Sequence, residues 1–161
     1  MKNLLLVFFI FMGFAATSYA QNYDHAIGLR LGYPNSVSYK KFISESSAVE
    51  LYGGFRSFSG YSYVRAAAAY QIHAPIESVV GLNYYYGAGA GVNIFTFDAG
   101  FNDGGNIGVN VSGYLGLEYT FADIPLVISA DWVPTFQING FGNGFGAEGG
   151  ALAVRYILGR E

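Results

Sequence analysis

Between residues 82 and 92 the chain alternates without a break. Leu82, Tyr84, Tyr86, Ala88, Ala90 and Val92 hold one parity; Asn83, Tyr85, Gly87, Gly89 and Gly91 hold the other. Successive side chains on a strand point to opposite faces. One face of this segment is therefore apolar along its length, and the other is small and polar. A helical period would mix the two sets on every face, so the pattern confines the segment to a sheet.

Seven other segments carry the same rhythm, which predicts strands over His25–Tyr33, Ser36–Ile43, Ala48–Arg56, Tyr61–His73, Val79–Ile94, Ile107–Phe121, Pro125–Phe136 and Ala147–Leu158. The apolar parity holds Leu29 and Leu31, Val37 and Tyr39, Leu51 and Phe55, Val64 and Tyr70, Leu115 and Leu117, Ile128 and Trp132, and Leu152 and Val154. The longest links are Thr96–Asn106 and Gln137–Gly146. With a periplasmic N-terminus both fall on the extracellular side. Pro134 lies inside the seventh segment, where a missing N–H predicts a bulge or an end of pairing.

Half the chain is hydrophobic, yet only 12% is charged, with a net charge of −3. Soluble domains carry about 25% charged residues. Glycines crowd the polar parity, and the apolar parity runs almost to the strand ends. A closed barrel satisfies every backbone group inside lipid and leaves no open edge. The reading is an all-β, eight-stranded antiparallel up-and-down transmembrane β-barrel. Its outside meets lipid and its inside is polar. Aromatics near strand ends (Tyr33, Tyr61, Tyr63, Phe95, Tyr119, Phe121 and Phe136) are expected to form interfacial girdles.

Residues 1–20 read MKNLLLVFFIFMGFAATSYA. A lysine, a short apolar core and Ser18-Tyr19-Ala20 form an export signal with cleavage before Gln21. Residues 21–161 then make one barrel domain. The chain has no cysteine. That excludes disulfides, thiolate metal sites and a lipoprotein anchor.

The inward parity gathers most of the charge: Arg30, Lys40, Glu50, Arg56, Arg65, Glu118, Asp131 and Arg155. An eight-stranded barrel has room inside for little more than side chains. Buried charges must pair, so these eight are expected to form a lumen charge network. Glycines 87, 89 and 91 leave space beside it for Tyr52, Tyr85 and Tyr114.

Other chemistries find little purchase. The dispersed basic residues do not suit nucleic acid. The two histidines, His25 and His73, are expected at the periplasmic rim, away from outer-leaflet lipid. A serine–histidine–acid set is therefore not expected. Asp98 and Asp103 in the longest link could meet a cation, but a solvated loop is the simpler reading. Gly87-Ala88-Gly89-Ala90-Gly91 lies inside a strand and lacks the strand–turn–helix context of a nucleotide loop. No cofactor is expected.

The leader, the hairpin rhythm and stretches such as SVSYKKFI, GLNYYYGAGAGV, SGYLGLEYTF and GGALAVRYIL resemble the small eight-stranded outer-membrane β-barrel proteins of Gram-negative bacteria. The resemblance covers residues 22–158. It implies a place in the cell outer membrane, with outer-membrane lipid and the outer-membrane assembly machinery as partners. Members often end on an aromatic residue read by that machinery, whereas Tyr156 here is followed by Ile157-Leu158-Gly159-Arg160-Glu161. The class includes adhesins, structural proteins, narrow channels and a few enzymes, so fold alone does not choose among them. The expected role is non-enzymatic, structural or in surface interaction. The alternatives are a narrow, porin-like pore or carrier for small or hydrophobic solutes, a lipid-modifying enzyme using His25 or His73, and a soluble lipocalin-like barrel.

Overall fold

The computed structural model describes residues 23–98, 107–147 and 149–160. Ten strands form a single sheet. In chain order they are β1 (His25–Gly32), β2 (Asn35–Phe42), β3 (Ser47–Ser57), β4 (Tyr61–Pro75), β5 (Leu82–Phe97), β6 (Ile107–Thr120), β7 (Leu126–Trp132), β8 (Thr135–Gln137), β9 (Gly144–Gly146) and β10 (Gly150–Gly159). Each long strand pairs antiparallel with its sequence neighbour. β10 pairs back onto β1, with Leu29 opposite Val154. The sheet closes into an eight-staved barrel whose seventh stave is β7 continued by β8.

The break in that stave falls at Val133-Pro134. Proline has no N–H for the ladder. β6 nonetheless keeps contact, because Gly113 N–H donates to the Pro134 carbonyl at 2.9 Å. Beyond the break, β8 pairs with β6 on one side and with the short β9 on the other. The glycine-rich link after the seventh stave thus contains a strand of its own, and the eighth stave begins at Gly150 rather than Ala147.

The fifth stave also departs from the sequence reading. It spans Leu82–Phe97 instead of Val79–Ile94. Val79 and Val80 belong to a turn held by Val79 N–H to Ile76 O (3.0 Å) and ended by Gly81 at φ +86°. A side chain there would be strained. At the far end Phe95 and Phe97 continue the ladder opposite Tyr63 and Tyr61. Residues 1–22, and Asp103 within the longest link, lie outside the described residues.

The wall separates two chemistries. Ile27, Leu29 and Leu31 are 41%, 58% and 57% exposed, while Arg30 between them is 4% exposed. The same alternation leaves Val37, Leu51, Val64, Tyr86, Leu115, Leu117, Ile128, Trp132, Leu152 and Val154 on the outside. Not all the aromatics expected in the girdles face outward. Tyr33, Phe136 and the Tyr119–Phe121 pair sit at strand ends, the last two 4.9 Å apart edge to face. Tyr61, Tyr63 and Phe95, however, share the parity of Arg65 and Asn93 and point into the mouth of the barrel. There Phe95 is buried, 5.7 Å from the Tyr63 ring and 5.8 Å from Phe141. Parity overrides the position at the strand end: an odd-numbered residue on β4 or β5 faces inward whatever its chemistry.

The end of the barrel where β1 begins and β10 ends is closed by an apolar cap of Tyr23, Ala26, Phe42, Ala48, Val127 and Ile157. Tyr23 precedes the first strand and tucks under the barrel, its ring 5.0 Å from Phe42 and edge-on. Asp24 N–H to Gly159 O (2.9 Å) ties the same segment to the end of β10.

Candidate functional site

The lumen is built in layers from the closed cap upward. Directly above the cap lies Glu118 on β6. Its carboxylate accepts from Lys40 Nζ at 2.7 Å and from the Tyr23 hydroxyl at 2.7 Å. Arg155 Nη1 stands 3.7 Å away and His73 Nδ1 3.8 Å away. Glu50 on β3 is the second hub. It pairs with Arg155 Nη2, accepts from Gln71 Nε2 at 2.8 Å, and lies 3.5 Å from Arg30 Nη1 and 4.0 Å from Lys40 Nζ. Asp131 on β7 is the third hub. It accepts from Arg30 Nη2 at 2.8 Å and from the Tyr85 hydroxyl at 2.6 Å. Arg155 also donates to the Ser38 and Ser129 hydroxyls at 2.8 and 2.9 Å.

Three cations, Arg30, Lys40 and Arg155, thus meet three carboxylates, Glu50, Glu118 and Asp131. Every stave contributes a member: β1, β2, β3, β6, β7 and β10 through the ions, β4 through Gln71 and β5 through Tyr85. Net charge within the cluster is zero, and most of its polar atoms are hydrogen-bonded, though Arg30 Nη1, Gln71 Oε1 and both His73 ring nitrogens are not. Such pairing is the condition under which buried ions are tolerated. Small residues make the space. A Cβ on Gly116 would lie 2.6 Å from Tyr85 Cζ, and one on Gly89 would lie 3.0 Å from Tyr114 Cε2. One layer higher, the Tyr52 and Tyr114 hydroxyls meet at 2.7 Å across the lumen, and Arg30 Cζ lies 5.1 Å from the Tyr52 ring centre.

The two remaining charges of the sequence set stand apart, toward the mouth. Arg56 Nη1 donates to the Gly32 carbonyl at 3.0 Å, and its Cζ sits 3.5 Å over the Tyr33 ring. Arg65 Nε donates to Asn93 Oδ1 at 2.7 Å. Asn93 in turn donates to Gln137 at 3.0 Å, so the mouth is laced by amides rather than by carboxylates. A cavity of about 160 Å³ opens here. Arg30, Tyr52, Tyr63, Arg65 and Thr135 contribute to its lining. The aromatic group of Tyr61, Tyr63, Phe95, Phe97 and Phe141 fills the β4–β5 side of the same mouth.

The histidines differ from expectation in one respect. His25 lies at the rim of the closed end, its Nδ1 2.7 Å from Asp24 Oδ2. His73 is buried inside the barrel, because β4 runs two residues beyond it. Its ring stacks on Tyr85 at 4.8 Å and meets Phe42 at 4.9 Å. Tyr23, Gln71 and His73 are the cluster members that the charge pattern does not reveal. Inward parity picks out Gln71 and His73. Tyr23 lies before the first strand and carries no pattern signal.

No family model matches the chain, and no curated relative does. Among solved structures, the barrel is similar to the N-terminal β-barrel domain of Pseudomonas aeruginosa OprF. The TM-score is 0.61 at 16% identity, covering 84% of this chain and 98% of that one. It is similar also to Neisserial surface protein A (NspA), with a TM-score of 0.61 at 13% identity, covering 84% of this chain and 94% of that one. Likeness at such identities is a likeness of fold. The chain has the all-β, closed, eight-stranded antiparallel fold of the small outer-membrane barrels.

Proposed function

We propose that this protein is an integral barrel of the Gram-negative outer membrane with a structural or surface-interaction role and no catalytic one. Residues 1–20 serve as its export signal, and the outer-membrane assembly machinery inserts it. The observation that carries this reading is the pairing of a continuous apolar exterior with a charge-balanced, hydrogen-bonded interior. Water-soluble barrels bury their greasy parity, whereas this wall turns it outward.

The interior bears on the choice between scaffold and pore. Ion pairs and the Tyr52–Tyr114 contact cross the lumen from wall to wall. A conducted ion would have to break them, and separating buried partners costs about 3–5 kcal/mol. The work of the protein is then done by the wall and the extracellular end. Planar-bilayer recording of the detergent-purified protein tests this: the expected trace shows no unitary conductance steps. Regular single-channel steps, abolished when Tyr52 and Tyr114 are crosslinked as cysteines, would establish the pore instead.

A further inference from the structure

Toward the mouth of the barrel, Arg56 and Arg65 face no carboxylate among the described residues. Arg56 and Arg65 occupy diagonal positions across the β3–β4 ladder, since Arg56 pairs with Tyr63 and Arg65 with Gly54. Diagonal neighbours stand roughly 7–8 Å apart, and like charges so placed repel. Among the described residues neither guanidinium has a carboxylate within 4 Å; their partners are a carbonyl, an amide and aromatic rings. A guanidinium carries five N–H donors. Arg65 engages Nε, and among the described residues its two Nη groups have no hydrogen-bond partner. The floor is Arg30, ion-paired with Asp131 through Nη2 but with a free donor on Nη1. Arg30 is only 4% exposed, yet its Nη1 makes no hydrogen bond, the Glu50 oxygen being 3.5 Å distant. Arg56 Nε is likewise buried and unpartnered.

Arg30 and Arg65 line the cavity of about 160 Å³, and Arg56 braces its Tyr33 wall. That volume equals about five waters at their liquid share of 30 Å³. It has room for one tetrahedral oxyanion. Guanidinium forks match phosphate oxygens in geometry as well as charge. We propose that this vestibule is a phosphate-binding site in which Arg65 and Arg30 hold the oxyanion and Arg56 supplies further positive potential from the rim. The phosphate belongs either to a free anion or to the headgroup of an outer-leaflet lipid. The free-anion source rests on the lumen geometry alone, whereas the lipid source rests also on the proposed membrane role, so the two arms separate failure of the site from failure of that role.

Two arms test it on the full mature barrel. In the first, inorganic phosphate is titrated calorimetrically into protein folded in a non-ionic detergent at low salt. In the second, nanodiscs of a phosphate-free galactolipid are compared with nanodiscs of the same lipid carrying a bis-phosphorylated glycolipid, read through the Arg65 and Arg30 side-chain NMR resonances. Saturable binding of free phosphate supports a free oxyanion as ligand, and binding only in the phosphorylated nanodiscs supports a lipid headgroup. Arg65→Gln is expected to weaken either by about tenfold, the loss of charge-assisted hydrogen bonds. Lys41→Gln, exposed on β2 at the closed end of the barrel, is expected to leave it unchanged. Should Arg65→Gln fail to fold, arginine side-chain NMR of the unaltered protein gives the same answer, because phosphate shifts the Arg65 and Arg30 resonances. No binding in either arm, binding that Arg65→Gln leaves intact, or unshifted Arg65 and Arg30 resonances in the presence of phosphate would overturn the site.

Discussion

Glu50 is the residue whose removal discriminates most sharply between a paired ionic core and a merely polar one. Substituting Leu for Glu50 leaves three buried cations facing two carboxylates. Arg155 loses its paired carboxylate, with the next acid, Glu118, 3.7 Å away, and Gln71 loses its acceptor. Breaking such a pair from one side costs about 3–5 kcal/mol. Arg155→Met has the mirror effect and leaves Glu50 with cations at 3.5 and 4.0 Å. The double variant behaves differently. It keeps Arg30–Asp131 at 2.8 Å and Lys40–Glu118 at 2.7 Å, and the cluster returns to zero net charge. Replacing a buried pair by apolar side chains is often neutral, so the double variant is expected within about 1 kcal/mol of the parent. Urea unfolding from lipid vesicles, followed through Trp132, the sole tryptophan, measures all four corners of the cycle. The reasoning fails if either single variant loses less than about 1 kcal/mol, or if the double variant loses the sum of the two, since contacting residues must couple.

Other positions give independent tests. Leu115→Arg places a charge on the exposed apolar wall and is expected to cost about 2–4 kcal/mol if it lies near the bilayer midplane, with reduced insertion in a vesicle-folding assay. Gly116→Val brings a Cβ within 2.6 Å of Tyr85 Cζ and 2.7 Å of the Ala130 oxygen. Displacing the Tyr85–Asp131 bond by overpacking is expected to lower stability by about 1–3 kcal/mol, read as a lower urea midpoint. Tyr23→Phe removes the hydroxyl that donates to Glu118 and leaves a buried carboxylate oxygen short of a donor. A loss of about 1–3 kcal/mol follows, whereas an unchanged midpoint would mean that the segment before β1 contributes nothing to the closed end.

What the sequence makes legible is parity. Leu29, Leu115 and Leu152 lie on one side of the wall, and Arg30, Glu118 and Arg155 on the other, because strand geometry allows a residue only two directions. Pro134 marks the break in the seventh stave for the same kind of local reason. Other features depend on the third dimension. Val79 and Val80 look like strand, but the hydrogen bonds of the turn before Gly81 claim them. Tyr61, Tyr63 and Phe95 have girdle chemistry, yet their register turns them into the mouth. The eight inward charges form one list in the sequence. Barrel height divides them, with six in the paired cluster, Arg30 at its top as the floor of the mouth, and Arg56 and Arg65 above it near the open end. Tyr23 reaches Glu118 only because the barrel has closed, and nothing in a one-dimensional pattern anticipates that contact.

Lipid contact at the outer wall is measured most directly through Trp132, which lies on the apolar face opposite Leu115 and Gly150 and is half exposed. Phospholipids brominated along their acyl chains quench only those indoles they touch. The account predicts strong, depth-dependent quenching of Trp132 in reconstituted vesicles, with weak quenching by aqueous iodide. Strong iodide quenching with no response to brominated chains would put water against the wall and contradict a membrane-spanning barrel.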